Sequence, residues 1–128
     1  MNNNALLNIE NFWKDVISQN RTALPHYFTE NAIIRWHCTN EQFTKDEYVQ
    51  INCDYPDNWK GEIERIERTG DSIILAGHVF SVNENESYHV VSFIKCKGNL
   101  IQELDEYWAD DGDAPEWRKN MKIGRVIR

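Results

Sequence analysis

The dipeptide Gly98-Asn99 stands between two runs in which apolar and polar residues alternate, Ser87 to Lys97 before it and Leu100 to Trp108 after it. A Gly-Asn pair in that setting signals a tight β-hairpin. With Lys97 facing Leu100 across a two-residue turn, the register follows: Ser92 faces Asp105, Val90 faces Tyr107 and His89 faces Trp108. One face of the last strand then carries Ile101, Glu103, Asp105 and Tyr107, and the other carries Leu100, Gln102, Leu104, Glu106 and Trp108. Each face mixes hydrocarbon with acid, whereas a sheet wetted on one side segregates them. Both faces are therefore expected to be covered.

Upstream, Leu6, Ile9, Phe12, Trp13, Val16 and Ile17 recur at helical spacing and predict an amphipathic helix from about Ala5 to Gln19. Arg21 to Phe28 reads as a second short helix, with Pro25 either kinking it or in its first turn. Ala32 to His37 reads as a short strand. Thr44-Lys45-Asp46-Glu47 fits a capping box opening a third helix that runs to about Cys53, and Pro56 closes it. From Trp59 the pattern turns to strands: Glu62 to Arg68, Ser72 to Val82, Ser87 to Lys97 and the Gly98 stretch. Helices followed by an antiparallel meander is an α+β order.

At 128 residues the chain is expected to form one domain, 1–128, with a tail from about Asp110 whose apolar residues dock on the domain or on a partner subunit. The net charge of −7, from 21 acidic against 14 basic residues, argues against a nucleic-acid partner. Three widely spaced cysteines, Cys38, Cys53 and Cys96, do not make a disulfide framework and suit a cytoplasmic protein. No stretch approaches the roughly 20 apolar residues of a membrane helix, so no membrane partner is expected.

This order of elements, ending in Asp105-Glu106-Tyr107-Trp108, resembles the SnoaL-like branch of the nuclear-transport-factor-2-like superfamily. Supporting motifs are Trp13-Lys14-Asp15, Phe28-Thr29-Glu30-Asn31-Ala32, Tyr55-Pro56-Asp57-Asn58-Trp59 and Ala114-Pro115-Glu116-Trp117-Arg118. The resemblance covers nearly the whole chain and implies a cystatin-like α+β barrel, a strongly curved antiparallel sheet wrapped around N-terminal helices to make a cone with a pocket. It also implies frequent dimerisation through the outer sheet face. Enzymes of this kind include polyketide cyclases, ketosteroid-isomerase-like proteins and epoxide hydrolases, which share cofactor-free acid–base work by pocket carboxylates. The expected function is thus a pocket for a small hydrophobic molecule, with or without catalysis on an enolisable carbonyl. The alternative is a non-catalytic dimeric binding or interaction module.

If Asn83 faces Ser87 across a three-residue loop, His78 faces Ser92 and Ser92 faces Asp105. His78 and Asp105 would then flank a ligand from backbones roughly 9.6 Å apart, two strand spacings, with Tyr107 next along. In that row Asp105 is the candidate acid or base, and His78 or Tyr107 the donor to a developing enolate. The plainer alternative is a buried Asp105 whose oxygens are satisfied by Ser92 or Tyr107. His89, Glu106 and Trp108 form the rival cluster on the opposite face, either a catalytic side or an ion-paired dimer contact. Trp36 and Trp13 are further candidate ligand contacts. Tyr48, Tyr55 and Trp59 read as helix-to-sheet packing, and Asp110-Asp111-Gly112-Asp113 as a solvated turn. His37, Cys38, His78, His89 and Cys96 could in principle ligate zinc, but no Cys-x-x-Cys or His-x-x-x-His spacing occurs and no metal is expected. Nor does a glycine-rich loop suggest a nucleotide cofactor.

Overall fold

A computed structural model describes residues 6–83 and 85–128. Helix α1 spans Ile9–Ile17 and ends two residues earlier than its periodicity suggests; the expected start at Ala5 lies outside the described residues. Asn8 begins it by accepting the Asn11 N–H at 3.0 Å, which satisfies a backbone donor that the first turn leaves free. A 3₁₀ turn, Leu24–Tyr27, replaces the expected second helix, with Pro25 in its first turn. Strand β1 covers Phe28–Trp36, and another 3₁₀ turn, His37–Thr39, leads to a short strand β2, Glu41–Thr44. Helix α2, Lys45–Asp54, opens with the anticipated capping box: Glu47 N–H donates to Thr44 Oγ1 at 3.2 Å, and Thr44 N–H to the Glu47 carboxylate at 2.9 Å. Strands β3 (Trp59–Thr69), β4 (Ser72–Ser81), β5 (Ser87–Lys97) and β6 (Leu100–Asp110) follow, then a one-turn helix α3, Glu116–Lys119.

The six strands make one curved, unclosed sheet in the order β2-β1-β6-β5-β4-β3. The expected meander β3 to β6 is antiparallel, while β1 lies parallel to β6, Ile34 beside Leu104. The helices cover the inner face. Phe12 of α1 meets the edges of Tyr27 and Phe28, and Tyr48 of α2 meets Phe28 in turn. Ile34, Leu75, Ile94 and Leu104 of the sheet are buried beneath them. Trp13 lies flat against the sheet because two strand positions there lack side chains. A Cβ on Gly77 would fall 2.3 Å from Trp13 Cη2, and one on Gly61 would fall 2.9 Å from Trp13 Cζ2.

Two expected registers are corrected. The Gly98-Asn99 turn does pair Lys97 with Leu100, but Cys96 then pairs with Ile101 and Lys95 with Glu103, leaving Gln102 as a bulge. Beyond that extra residue every pairing slips by one, so Ser92 faces Glu106, Phe93 faces Asp105 and His89 faces Ala109. The slip also explains the mixed faces: Ile101 points inward before the bulge, Leu104 and Glu106 after it. At the other turn, Phe80 rather than Asn83 pairs with Ser87, because Ser81 N–H already donates to the Glu86 carbonyl at 2.9 Å and the Ser81 hydroxyl to Asn83 at 2.9 Å. His78 consequently pairs with His89 and points outward, while Leu75 sits opposite Ser92.

Another bulge, at Glu64, interrupts β3 between Ile63 and Arg65. That edge strand is densely charged, with Glu62, Glu64, Arg65, Glu67 and Arg68, while the opposite edge β2 is four residues long. No helix among the described residues is long and apolar enough to cross a membrane.

Candidate functional site

Between α1, α2 and one end of the inner sheet face lies a cavity of about 310 Å³. Val16 and Ile17 of α1 and Ile51 and Asn52 of α2 form one wall. The sheet wall is aromatic: Trp36 from β1, Trp59 from β3, Tyr88 from β5 and Trp108 from β6, with Val79 from β4 and Tyr55 from the loop after α2. Cys38, Thr39 and Glu41 stand at the β1–β2 side. Each strand contributes because alternation sends every second residue inward, and aromatic or branched residues occupy those positions.

Glu106 lies behind this wall, 7% exposed, and its carboxylate orders it. Trp36 Nε1–H and Trp108 Nε1–H donate to Oε1 at 3.1 and 3.3 Å, and the Ser92 hydroxyl donates to Oε2 at 2.6 Å. The carboxylate thereby fixes two indoles of the cavity lining through their only polar atoms. Burial raises the Glu106 pKa above its ordinary 4.5, and the three donors offset this only in part. Trp36 is also held edge-on by Phe43 and Tyr48. Burial, with the Glu106 charge adding to it, raises the Tyr48 pKa well above its usual value of 10.0.

Of the residues singled out in the sequence, Trp36, Ser92, Glu106 and Trp108 come together here. The row His78, Ser92 and Asp105 does not form. Asp105 points to the outer face, where it accepts from Arg35 Nη1 at 3.2 Å and pairs with His37 Nε2 at 2.7 Å. Tyr107 stacks on His37 beside it, ring centroids 4.4 Å apart. His78 and His89 stack at 5.0 Å elsewhere on that outer face, so His89 does not join Glu106 and Trp108 as the uncorrected register had it. Trp13 packs on Gly77 rather than lining the cavity, and its Nε1 is buried without a partner among the described residues. His37 and Cys38 occupy a 3₁₀ turn rather than a strand end, and Cys38 reaches the cavity while His37 reaches Asp105. Sequence reasoning assigned Tyr55 and Trp59 to packing, yet both line the cavity, and Tyr88 was missed there. The recurrence of aromatics at inward strand positions was the available signal.

A curved sheet folded over helices, with a hollow at one end, defines the nuclear-transport-factor-2-like fold, and this chain has it. A ketosteroid isomerase candidate from Kribbella flavida DSM 17836 superposes with a TM-score of 0.78 at 17% identity, over 94% of this chain and 87% of that one. An NTF2-like protein of unknown function from Burkholderia xenovorans LB400 gives 0.75 at 16% identity, covering 92% and 91%. A SnoaL-like polyketide cyclase candidate from Shewanella putrefaciens CN-32 gives 0.64 at 10%, covering 77% and 75%. No protein-family model and no curated protein matches the sequence.

Proposed function

We propose that this protein binds a small, largely apolar, ring-bearing molecule in the cavity between its helices and the inner sheet face. The observation that carries this reading is the aromatic wall, two of whose indoles are anchored from behind by one carboxylate. Flat π-faces held rigid lose little freedom when a ring stacks on them. Structural likeness to a ketosteroid isomerase candidate and a polyketide cyclase candidate supports the same ligand class by analogy of fold. Three free cysteines suit a reducing compartment such as the cytosol.

Calorimetric titration with a panel of aromatic ketones and sterols tests the proposal. Val79, on the cavity wall, is the place to block it: Val79→Trp fills the hollow and is expected to weaken binding at least about tenfold, the scale of a lost apolar contact. Equal affinity in wild type and variant would remove the cavity as the site.

Acid–base turnover is a second reading, favoured by the raised Glu106 pKa; because the carboxyl lies behind Trp36 and Trp108, this reading requires one of those indoles to swing aside and expose it to the ligand. Deuterium uptake at the α-carbon of a bound ketone would then depend on Glu106 and disappear in Glu106→Gln. Uptake that persists in the variant excludes this carboxyl as the base.

A further inference from the structure

The outer face carries a cluster that the cavity does not use. His78 on β4 and His89 on β5 are paired residues on neighbouring strands, and Asp111, just past the end of β6, lies across both. Asp111 Oδ2 is 3.3 Å from His78 Nε2, and Asp111 Oδ1 is 3.2 Å from His89 Nε2. These three donor groups lie within 4.8 Å of one another. The far side of each ring faces its own carboxylate: His78 Nδ1 is 3.5 Å from Glu62 and His89 Nδ1 is 3.3 Å from Glu64. The Glu64 bulge in β3 lies beside this pair of contacts.

We propose that His78 Nε2, His89 Nε2 and the Asp111 carboxylate bind a zinc ion on the outer sheet face. Tetrahedral zinc with bonds near 2.0 Å sets its ligand atoms roughly 3.3 Å apart, the separation already present between Asp111 and each imidazole. Two imidazoles and a carboxylate suit zinc, whereas magnesium and calcium call for oxygen alone. Glu62 and Glu64 supply what ligating imidazoles need on the opposite nitrogen: an acceptor that holds the proton on Nδ1 and leaves the Nε2 lone pair toward the metal.

Without metal, another cation takes this spot. Arg128 Nη2 lies 2.7 Å from His89 Nε2 and 3.6 Å from Asp111 Oδ1. Ser87 fills the remaining space, its hydroxyl 2.7 Å from His78 Nε2 and 2.9 Å from Asp111. Zinc entry therefore moves the Arg128 side chain into solvent and turns the Ser87 hydroxyl away; because that hydroxyl donates its one proton to Asp111, the His78 Nε2 facing it carries a proton before zinc binds, and that proton passes to Nδ1 or to solvent as the metal enters. Bound zinc would tie the start of the C-terminal tail to β4 and β5.

Chelator-treated protein titrated with Zn²⁺ in a calorimeter, and with Co²⁺ as a visible probe, tests this. One equivalent is expected to bind. The His78→Ala/His89→Ala pair should weaken affinity at least about 100-fold, and Glu64→Gln about tenfold, in line with losses of ligands and of their supporting acceptors. Arg128→Ala should bind more tightly than wild type. Asp111→Asn, on the exposed tail, keeps the test valid if the histidine pair fails to fold, and it too should lose binding. Unchanged stoichiometric binding in the Asp111 and histidine variants, thiolate-type cobalt absorption from the cysteines, or no binding by wild type and Arg128→Ala at millimolar zinc would each overturn the proposal.

Discussion

Glu106 occupies a place where ionisation is unfavourable, and three donors soften that without reversing it. Its folded-state pKa is raised above the unfolded value, so folding takes up a proton at this group between the two pKa values. The stabilisation is complete below about pH 4.5 and is lost as pH rises through the raised folded pKa. Glu106→Gln, which cannot ionise, should flatten that part of the curve of unfolding free energy against pH, measured by urea denaturation. A slope identical in both proteins would mean that the carboxyl ionises as readily inside as outside. Glu106→Ala removes the shared acceptor of Trp36, Trp108 and Ser92 and should cost at least about 3 kcal/mol, since each buried donor left unpaired costs roughly 1–3 kcal/mol. The sequence placed an acid on the pocket face of β6, next to Ser92, but set Asp105 there and kept Glu106 as the rival on the opposite face. The chemistry was legible, and the identity turned on Gln102, whose bulge no alternation pattern announces because a polar residue at that position fits either phase.

At the level of elements, α1 is seated by the absence of two side chains. The Gly77 and Gly61 gaps receive Trp13, and a methyl at Gly77 cannot coexist with the indole at 2.3 Å. Gly77→Ala is therefore expected to destabilise the protein by about 1–3 kcal/mol, the usual range for overpacking. Trp13→Leu on the same background should recover part of that loss, which a double-mutant cycle measures as non-additivity. Additive effects would show that the helix does not rest on this contact. Helix α2 was readable because its cap is a local sequence event, Thr44 with Glu47. Strand β2 was not: Glu41 to Thr44 is short and polar, and it exists because β1 offers it a free edge. The cluster of His78, His89 and Asp111 was read only in part, its histidines named as possible ligands but not brought together and Asp111 assigned to a solvated turn, for a related reason. Its residues come from positions 78, 89 and 111, brought together by pairing between strands rather than by close spacing along the chain.

Over the whole molecule, the curved sheet on N-terminal helices was readable from element order, because helices that precede a long meander have one apolar surface on which to settle. The outer face keeps Val91, Phe93 and Tyr107 exposed, with Phe93 edge-on to Tyr107 at 6.0 Å. We propose that a second copy of the chain covers this patch, as the family resemblance implies for the outer sheet face. Sedimentation equilibrium should give a dimer for wild type and a monomer for Phe93→Lys. A wild-type monomer at high concentration would end that idea.

The borders of the sheet bear on what such an assembly can become. One rim is studded with glutamates and arginines, and the other ends after four residues. Neither offers the long bare ladder on which a further strand could line up. Any contact between copies would thereby be steered to the broad surface, and a surface that meets its own twin is used up in doing so. A pair formed through that surface would stop at two copies instead of growing into a fibre.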